Sequence, residues 1–290
     1  MKWTPGNRDN VDDARAQSGG GGGLRMGGLG IGGLLIVLLL SWATGIDFLS
    51  LFSQTDTTTT SAPYAGTSGR ELRTSPDEER LVDFVDAVMK DAQATWQQKL
   101  GARYQSTRAV IFRDTIQSAC GFAQSATGPF YCPSDQLVYL DLGFFTELQQ
   151  RFRAPGDFAQ AYVLAHELGH HVQRLLGIET QVRRLQQSNP AQQKALSVRL
   201  ELQADCFAGV WGHEAAQSGR AARGQVELEA GDVEEGLNAA SSIGDDRIQR
   251  MAGRSVAPER FTHGSSAQRV SWFRRGFDSG DPQACQTFQQ

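Results

Sequence analysis

A run of uncharged residues divides this chain into two unequal parts and restricts how either part can fold. Residues 26–46 carry no charge, and residues 31–40 are almost entirely aliphatic or glycine. About twenty apolar residues are enough to cross a bilayer as a helix. We therefore predict a transmembrane helix over 26–46. The glycines in this run weaken a helix, but glycine is tolerated in membrane-spanning helices.

A cleaved signal peptide is the alternative interpretation of the same run. Its position argues against cleavage, because the apolar residues begin only after about 25 residues. Residues 41–44 also show no small-x-small site followed by a clear mature start. A membrane anchor is therefore the preferred interpretation.

Basic residues are distributed unequally around the predicted membrane helix. Lys2, Arg8, Arg15 and Arg25 precede it, and the next basic residue is Arg70. The positive-inside rule then predicts a single-pass protein with a cytoplasmic N-terminus. The larger part of the chain is expected outside the cytoplasm, in the periplasm or on the outer face.

The segments on either side of the predicted helix are poor in core-forming residues. Residues 1–25 mix charges with a glycine tract and predict a disordered cytoplasmic tail. Residues 47–70 are rich in Thr, Ser, Gly and Pro and predict a flexible linker. Much of the chain's high glycine content, 32 residues in all, lies in the tail and the predicted helix.

Residues 71–290 are long enough to form one domain with a sizeable core. Ser75 has the position of a helix cap, and Pro76 that of a first helical residue. Runs rich in Val, Ile, Tyr and Phe predict strands at 109–112 and 137–142. Helical patterns follow at 157–176, 190–218, 225–241, 265–276 and 281–288. A few early strands followed mostly by helix predict an α+β fold.

The charge balance bears on possible partners. The chain has 28 Lys and Arg against 32 Asp and Glu, which gives a net charge of −4. A nucleic-acid-binding protein usually carries a basic excess or patch, so we do not expect a nucleic acid as partner. Arg269, Arg274 and Arg275, with Trp272 and Phe273 between them, resemble a patch for nucleic acid or lipid. Their amphipathic spacing favours a docked helix whose arginines face solvent.

Four cysteines lie in the part predicted to be outside the cytoplasm: Cys120, Cys132, Cys206 and Cys285. An even number there is compatible with two disulfides. Pairing the first two would close a short loop, and pairing the last two would tie the C-terminal tail to a central helix. The sequence permits three pairings, and four buried thiols are the alternative. The absence of a CxxC spacing argues against a zinc-cysteine site.

Three of the five histidines lie within six residues, at His166, His170 and His171. On a helix, His166 and His170 share one face, about one turn apart. Two imidazoles at this spacing can bind one zinc ion, and Glu167 can reach a water on the metal without binding the metal. This is the H-E-x-x-H pattern of zinc metalloproteases. A helix whose histidines make ordinary hydrogen bonds is the alternative.

A catalytic zinc needs a third protein ligand. Gln173 and Leu176 stand where an extended motif would need Gly and His, so that arrangement is excluded. Glu201 and Asp205 share one face of the 190–218 helix among apolar neighbours, where two carboxylates are costly unless they are paired or metal-bound. We predict Glu201 as the third ligand and Asp205 as the acceptor of a histidine ring N–H. A solvated acidic edge is the alternative.

The two helices resemble those of gluzincin-type zinc metallopeptidases. Further segments are similar to the bacterial family named "putative neutral zinc metallopeptidase": 120–122, 131–133, 138–142, 201–207 and 263–266. Members of that family are single-pass membrane proteins with a short N-terminal tail, and the resemblance extends over the whole chain. It implies a zincin-like fold, Zn²⁺ as cofactor and a peptide or protein as substrate.

The resemblance also implies a mechanism, in which a zinc-activated water attacks the peptide bond and Glu167 is the general base. Similar enzymes bind the substrate along an edge strand that precedes the zinc helix. The strand at 137–142 is the candidate, with Val138, Tyr139 and Leu140 as its substrate-binding residues. An interior core strand is the alternative interpretation.

Related enzymes often use a His or Tyr to stabilise the oxyanion, but no spacing in this chain selects one. We favour His263 because it lies in a loop, and loops commonly carry functional residues. The other candidates are His213, Tyr131, Tyr139 and Tyr162. A surface role for His263 is the alternative, and His171 is not expected to bind the metal.

Two other functional classes compete with a peptidase. One is a non-catalytic, membrane-anchored binding or assembly module with a structural zinc site. Glu167 argues against it, because a structural site has no use for a general base beside two ligands. The other is zinc-dependent hydrolysis of a non-peptide amide, which the sequence does not distinguish from peptide hydrolysis.

Overall fold

The computed structural model describes residues 1–16 and 72–288. The predicted membrane helix at 26–46 and the predicted linker at 47–70 lie outside the described residues, so both stay predictions. Among the described residues, no helix combines the length and the apolar character needed to cross a membrane.

Six short strands occur in the described part of the chain. They are β1 (Val11–Asp13), β2 (Ala109–Phe112), β3 (Thr115–Ser118), β4 (Gly121–Gln124), β5 (Phe130–Cys132) and β6 (Leu137–Asp141). Four of them form one sheet in the order β1-β2-β6-β5. The first three in that order are parallel, and β5 runs antiparallel to β6. β3 and β4 form a separate antiparallel hairpin.

Eight α-helices lie in the same described ranges. They are α1 (Pro76–Leu100), α2 (Gly143–Gln150), α3 (Asp157–Leu175), α4 (Ile178–Ser188), α5 (Gln193–Ala215), α6 (Asp232–Ser242), α7 (Asp245–Met251) and α8 (Ser266–Ser279). The structure is thus mostly helical with small sheets, which confirms the predicted α+β class.

Two helix predictions near the C-terminus need correction. The helix predicted to begin at residue 225 begins at 232, after Gly231 in a left-handed conformation. Among the residues before it, Glu227 forms an isolated β-bridge by exchanging backbone hydrogen bonds with Lys2, so this stretch is not helical. The helix predicted at 281–288 is only a single 3₁₀ turn at Pro282–Ala284.

The first helix follows directly from its sequence signals. The Ser75 hydroxyl accepts a hydrogen bond of 3.1 Å from the backbone N–H of Glu78, and Pro76 is the first helical residue. The apolar face of α1 is buried, including Val85, Val88 and Trp96. This helix packs against α3 and β2 and supports the sheet from one side.

Helix α3 runs through the centre of the domain. Most of its side chains between Phe158 and Gln173 are buried, and α1, α5, α6 and β5 pack around it. A helix that is apolar on nearly all sides is stable only when other elements enclose it. The central position of α3 therefore follows from its composition, and it fixes where His166 and His170 lie.

Residues 1–16 are folded onto the domain, so the prediction of disorder is wrong for them. β1 pairs in parallel with β2, and Val11 and Arg15 are buried. The segment is polar, but it covers the open edge of β2 and brings cations to acidic side chains of α1. The remainder of the predicted tail, 17–25, lies outside the described residues.

Two disulfides are present, as the even cysteine count suggested. Cys120 pairs with Cys132, and Cys206 pairs with Cys285. The first pair links the hairpin turn to β5, and the second ties the C-terminal segment to α5. The described residues contain no free cysteine.

Candidate active site

His166, His170 and Glu201 meet where α3 faces α5, with their ligand atoms all within 4.8 Å of one another. The His166 Nε2 atom lies 3.2 Å from Glu201 Oε2, and the His170 Nε2 atom lies 3.6 Å from Glu201 Oε1. Ligands of a tetrahedral zinc with bonds of about 2.0–2.1 Å are about 3.3 Å apart. The three donors therefore fit a zinc ion, with a fourth coordination position left over.

Gly169 allows the two ligand-bearing helices to approach closely. A Cβ atom at Gly169 would lie 3.0 Å from the backbone oxygen of Ala204 and 3.1 Å from its Cα atom. A larger side chain would push α5 away, and Glu201 would move with it because it lies about one turn before Ala204. The glycine between the two ligating histidines is therefore a packing requirement of the site.

Asp205 orients the His166 ring. Its Oδ1 atom lies 2.8 Å from His166 Nδ1, so this nitrogen carries a proton, and Nε2 is the ring nitrogen that faces Glu201. Asp205 is fully buried. Burial acts to raise the pKa of Asp205, but the charges of Arg269 and His166 outweigh it and hold the pKa below its ordinary value.

Arg269 compensates the buried charge of Asp205. Its Nε and Nη2 atoms each lie 2.8 Å from a carboxylate oxygen of Asp205. The Tyr162 hydroxyl donates to the same carboxylate. The expectation that the arginines of the last helix face solvent is therefore wrong for Arg269, which is 2% exposed, although Arg274 and Arg275 are exposed.

The burial of Arg269 results from close packing of α8 on α5. A Cβ atom at Gly276 would overlap the backbone oxygen of Cys206, and one at Gly209 would overlap the backbone oxygen of Phe273. Sequence reasoning missed Arg269 as a site residue. The two glycines were the available signal, because glycine in a helix commonly marks such an approach.

Gln173 orients the His170 ring. Its Oε1 atom lies 2.9 Å from His170 Nδ1, and its amide nitrogen lies 2.7 Å from the backbone oxygen of Leu200. A carbonyl oxygen can only accept, so the amide group has one orientation and His170 Nε2 is left to face Glu201. Sequence reasoning used Gln173 only as a residue that does not match the glycine of the extended motif, and it missed this contact.

Glu167 lies in the same cleft as the three donors and is 8% exposed. Burial raises the pKa of Glu167, and the charges of His166 and His170 offset only part of that effect. A carboxylate with a raised pKa is a better proton acceptor near neutral pH. Glu167 therefore has the position and the electrostatic surroundings of a general base.

His171 points away from the three donors. Its Nδ1 atom lies 3.0 Å from the hydroxyl oxygen of Tyr131, and its Nε2 atom lies 2.7 Å from the backbone oxygen of Gln105. Both ring nitrogens are thus engaged in the domain core. The structure leaves His171 outside the group of potential metal ligands.

The cleft in front of the donors has a volume of about 570 Å³ and is lined in part by β5 residues Phe130 and Tyr131. β5 is an outer strand of the sheet, whereas β6 lies between β2 and β5. The expectation that 137–142 is an edge strand is therefore wrong, because β6 already pairs on both sides. Val138, Tyr139 and Leu140 cannot offer their backbone to a substrate.

His263 lines the cleft and is held there by Asp245. The Asp245 carboxylate accepts hydrogen bonds from the backbone N–H groups of Thr262, His263 and Gly264, and one of its oxygens lies 3.3 Å from His263 Nδ1. The surrounding protein atoms partly exclude water and act to lower the pKa of His263, but the hydrogen bond to Asp245 and the charge of Glu201 raise it above its ordinary value. The side chain is 52% exposed, so it can meet a ligand in the cleft.

The other candidate oxyanion residues have their polar atoms engaged. Tyr131 and Tyr162 line the cleft, whereas the Tyr139 hydroxyl and the His213 ring make their contacts away from it. The contacting groups are His171 for Tyr131, Asp205 for Tyr162, Asp135 for Tyr139 and the Phe277 backbone oxygen for His213. Among these candidates, His263 alone combines an exposed ring with a place on the cleft.

A second acidic group in the described residues comprises Asp157, Asp232 and Glu235, whose ligand atoms are also close together. The amino group of Met1 lies 3.2 Å from Asp157 Oδ1 and 3.3 Å from Asp232 Oδ1. This group therefore already faces a cation, and we do not treat it as a metal site.

An α+β domain that presents two imidazoles and one carboxylate to a cleft has the donor set of a metal-dependent protein. The sequence profile of the family described as "Putative neutral zinc metallopeptidase" matches residues 1–288, and the chain belongs to this family.

Relatives extend over most of the chain. "Uncharacterized protein YpfJ" of Escherichia coli strain K12 is 48% identical over an alignment of 301 positions, which covers 99% of each chain. "Uncharacterized protein Rv2575" of Mycobacterium tuberculosis strain H37Rv is 41% identical over 250 residues, which cover 84% of this chain and 83% of its own. No solved structure matches this chain.

Proposed function

We propose that this protein is a zinc metallopeptidase that hydrolyses peptide bonds. The observation that carries the proposal is the meeting of His166, His170 and Glu201 in one cleft with Glu167. A zinc ion held by the three donors would supply a Lewis acid and a bound water of lowered pKa. The description of the family supports the same activity.

The residues of the chain have separate roles in this reaction. The Glu167 carboxylate takes a proton from the attacking water and delivers it to the leaving amine. His263, protonated beside Asp245, donates a hydrogen bond to the carbonyl oxygen of the scissile bond as negative charge develops there. β5 offers its outer edge to an extended peptide, which can pair with it through backbone hydrogen bonds.

The order of elements supports a zincin-like arrangement as part of this proposal. An outer strand, β5, runs antiparallel to its neighbour and precedes the helix that carries His166, Glu167 and His170. The third donor comes from α5, which packs on that helix. Substrate strand, proton acceptor and metal donors thus all border one cleft.

The alternative, a non-catalytic module with a structural zinc site, would need a closed coordination shell. Structural zinc sites use four protein ligands. In the described ranges 1–16 and 72–288, the group of potential ligands has three members, His166, His170 and Glu201. The count of three and the nearby Glu167 both favour a catalytic site.

Membrane anchoring through residues 26–46 is a further part of the proposal and rests on their uncharged sequence. The two disulfides favour a location of the domain outside the reducing cytoplasm, because such bonds persist mainly in oxidising compartments. A peptide or protein substrate would then be met in the periplasm or at the outer face.

Zinc content and proteolysis test the proposal. The purified full chain is expected to contain about one zinc ion and to cleave an unfolded protein such as casein, and a chelator should abolish both. Glu201→Ala should remove most of the zinc, whereas Glu259→Ala, at an exposed position, should retain it. The metal is measured by plasma mass spectrometry. Normal zinc in Glu201→Ala would exclude Glu201, and absence of both zinc and cleavage from the wild type would contradict the proposed function.

His263 is expected to set the alkaline limb of the pH–rate profile. Its pKa is raised above the ordinary value, so the active, protonated form persists below that raised pKa and is lost as the pH increases through it. His263→Gln should lower kcat by about 10²-fold and remove this limb, because an amide donates a hydrogen bond but does not titrate. His213→Gln serves as the control. An unchanged profile in His263→Gln would show that His263 is not the oxyanion partner.

A further inference from the structure

Backbone hydrogen bonds join the first sixteen residues to the domain at both ends of the segment. Near the start, Lys2 and Glu227 exchange two backbone bonds of 2.8 and 3.0 Å. Near the end, the Ala14 N–H donates to the Ile111 oxygen over 2.8 Å, and β1 pairs with β2 along its length. The segment therefore contributes a strand to the sheet and is also attached to the domain at Glu227.

Asp86 shows that the domain is built to receive this segment. Asp86 lies on α1 and is fully buried. Its carboxylate accepts hydrogen bonds from the backbone N–H groups of Arg8 and Asn10, at 3.1 and 2.9 Å, and from the Asn10 side chain at 3.0 Å. Three of the hydrogen bonds that satisfy this carboxylate therefore come from the segment, and only water could replace them if the segment were elsewhere.

Residues 1–16 also form ion pairs and apolar contacts with the domain. Arg15 is 2% exposed and forms ion pairs with Asp13 of its own strand and with Glu78 and Glu79 of α1. Val11 is buried in the main core, and the ring of Trp3 packs edge-on against Phe84 at 5.5 Å. Buried ion pairs, core contacts and strand pairing together distinguish an integral element from a loosely attached tail.

These contacts conflict with the orientation expected from the basic residues. A single crossing of a bilayer by 26–46 would leave residues 1–16 in the cytoplasm and residues 72–288 outside it. β1 could not then reach β2, and the acceptors on α1 would be left without their donors. The strand pairing, hydrogen bonds and ion pairs between the segment and the domain can form only if both lie on the same side of the membrane.

We propose that residues 1–16 are a permanent part of the folded domain, with β1 as a strand of its sheet, and that they share its compartment. The occupant of the groove along β2 and α1 is this segment of the chain itself. The inference does not depend on the proposed peptidase activity, because it rests on packing and not on the metal donors.

Thiol labelling tests which side each segment occupies. All four native cysteines are in disulfides, so an introduced thiol reports alone. Asn7→Cys and Ser255→Cys place thiols at exposed positions of the segment and the domain. Full-length variants in spheroplasts are treated with a membrane-impermeant maleimide before and after lysis, with a cytoplasmic and an exported protein as markers.

We expect the two introduced cysteines to behave alike: either both are labelled before lysis, or both are labelled only after it. Labelling of Ser255→Cys in intact spheroplasts with labelling of Asn7→Cys only after lysis would overturn the proposal. The reverse combination would overturn it equally. If both positions react only after lysis, the shared compartment is the cytoplasm, and the segment still lies with its domain.

The thermal stability of the domain in the full-length chain provides a second test. Val11→Asp places a charge at a buried position of β1, and Thr4→Asp places one at an exposed position of the same segment. In the cell fraction that contains the chain, Val11→Asp should lower the temperature at which the domain becomes protease-sensitive by about 5 °C or more. Thr4→Asp should leave it unchanged. Equal midpoints for Val11→Asp and wild type would show that β1 is not docked there.

Discussion

A Glu167→Gln variant is expected to lose peptide hydrolysis by about 10²- to 10⁴-fold, the contribution that a positioned general base makes. Gln has nearly the shape of Glu but cannot accept and return a proton, so the cleft should keep its form. Zinc content should stay at the wild-type level, because the three donors are His166, His170 and Glu201. Initial rates of peptide cleavage and metal analysis of the same preparation provide the measurement.

The matched control is Glu147→Gln, which makes the same chemical change at a half-exposed residue of α2. It should retain both activity and zinc. Hydrolysis by Glu167→Gln at the wild-type rate would contradict the role of Glu167, even if zinc proved essential. Loss of zinc in Glu167→Gln would instead indicate that Glu167 helps to hold the metal.

The second large effect is expected at Arg269, which is not one of the three potential metal donors but pairs with Asp205 beside His166. Arg269→Met would leave the Asp205 carboxylate buried without its cationic partner, a change that costs about 3–5 kcal/mol. The free energy of unfolding, measured with urea, should fall by that amount. Because Asp205 orients His166, zinc affinity should also fall, by about 10- to 100-fold.

Two further variants make this prediction specific. Arg274→Met makes the same substitution at an exposed position of the same helix and should change stability by less than about 0.5 kcal/mol. Replacing Asp205 by Asn as well as Arg269 by Met should recover part of the lost stability, since the unpaired charge is then gone. Equal stability of Arg269→Met and Arg274→Met would contradict the role assigned to Arg269.

Local sequence signals were sufficient for the elements that form by themselves. Ser75 and Pro76 specify the start of α1, and the apolar stretch before His166 specifies a buried helix. Their spacing of four residues places His166 and His170 on one face of α3, and it places Glu201 and Asp205 on one face of α5. Each of these features depends on residues within a few positions of one another, so the sequence alone determines them.

Short or polar elements were missed because their partners are distant in sequence. β5 has only three residues, and its outer position depends on β6 pairing with β2 on its other side. The sequence of β1 is typical of a charged tail. It forms a strand only because the edge of β2 and the acidic side chains of α1 are available to bind it. Composition over a local window does not contain that information.

The sequence by itself determined the α+β class, the two helices that carry the potential metal donors and the glutamate that lies beside them. Only the tertiary structure decided which side chains orient those groups and which cleft gives a ligand access to them. The packing of distant segments pairs Arg269 with Asp205, hydrogen-bonds Gln173 to His170 and places β5 along the cleft. It also joins residues 1–16 to the domain. The physical reason is that donor chemistry and helix spacing are local properties, whereas burial, charge compensation and strand order arise only when distant segments pack together.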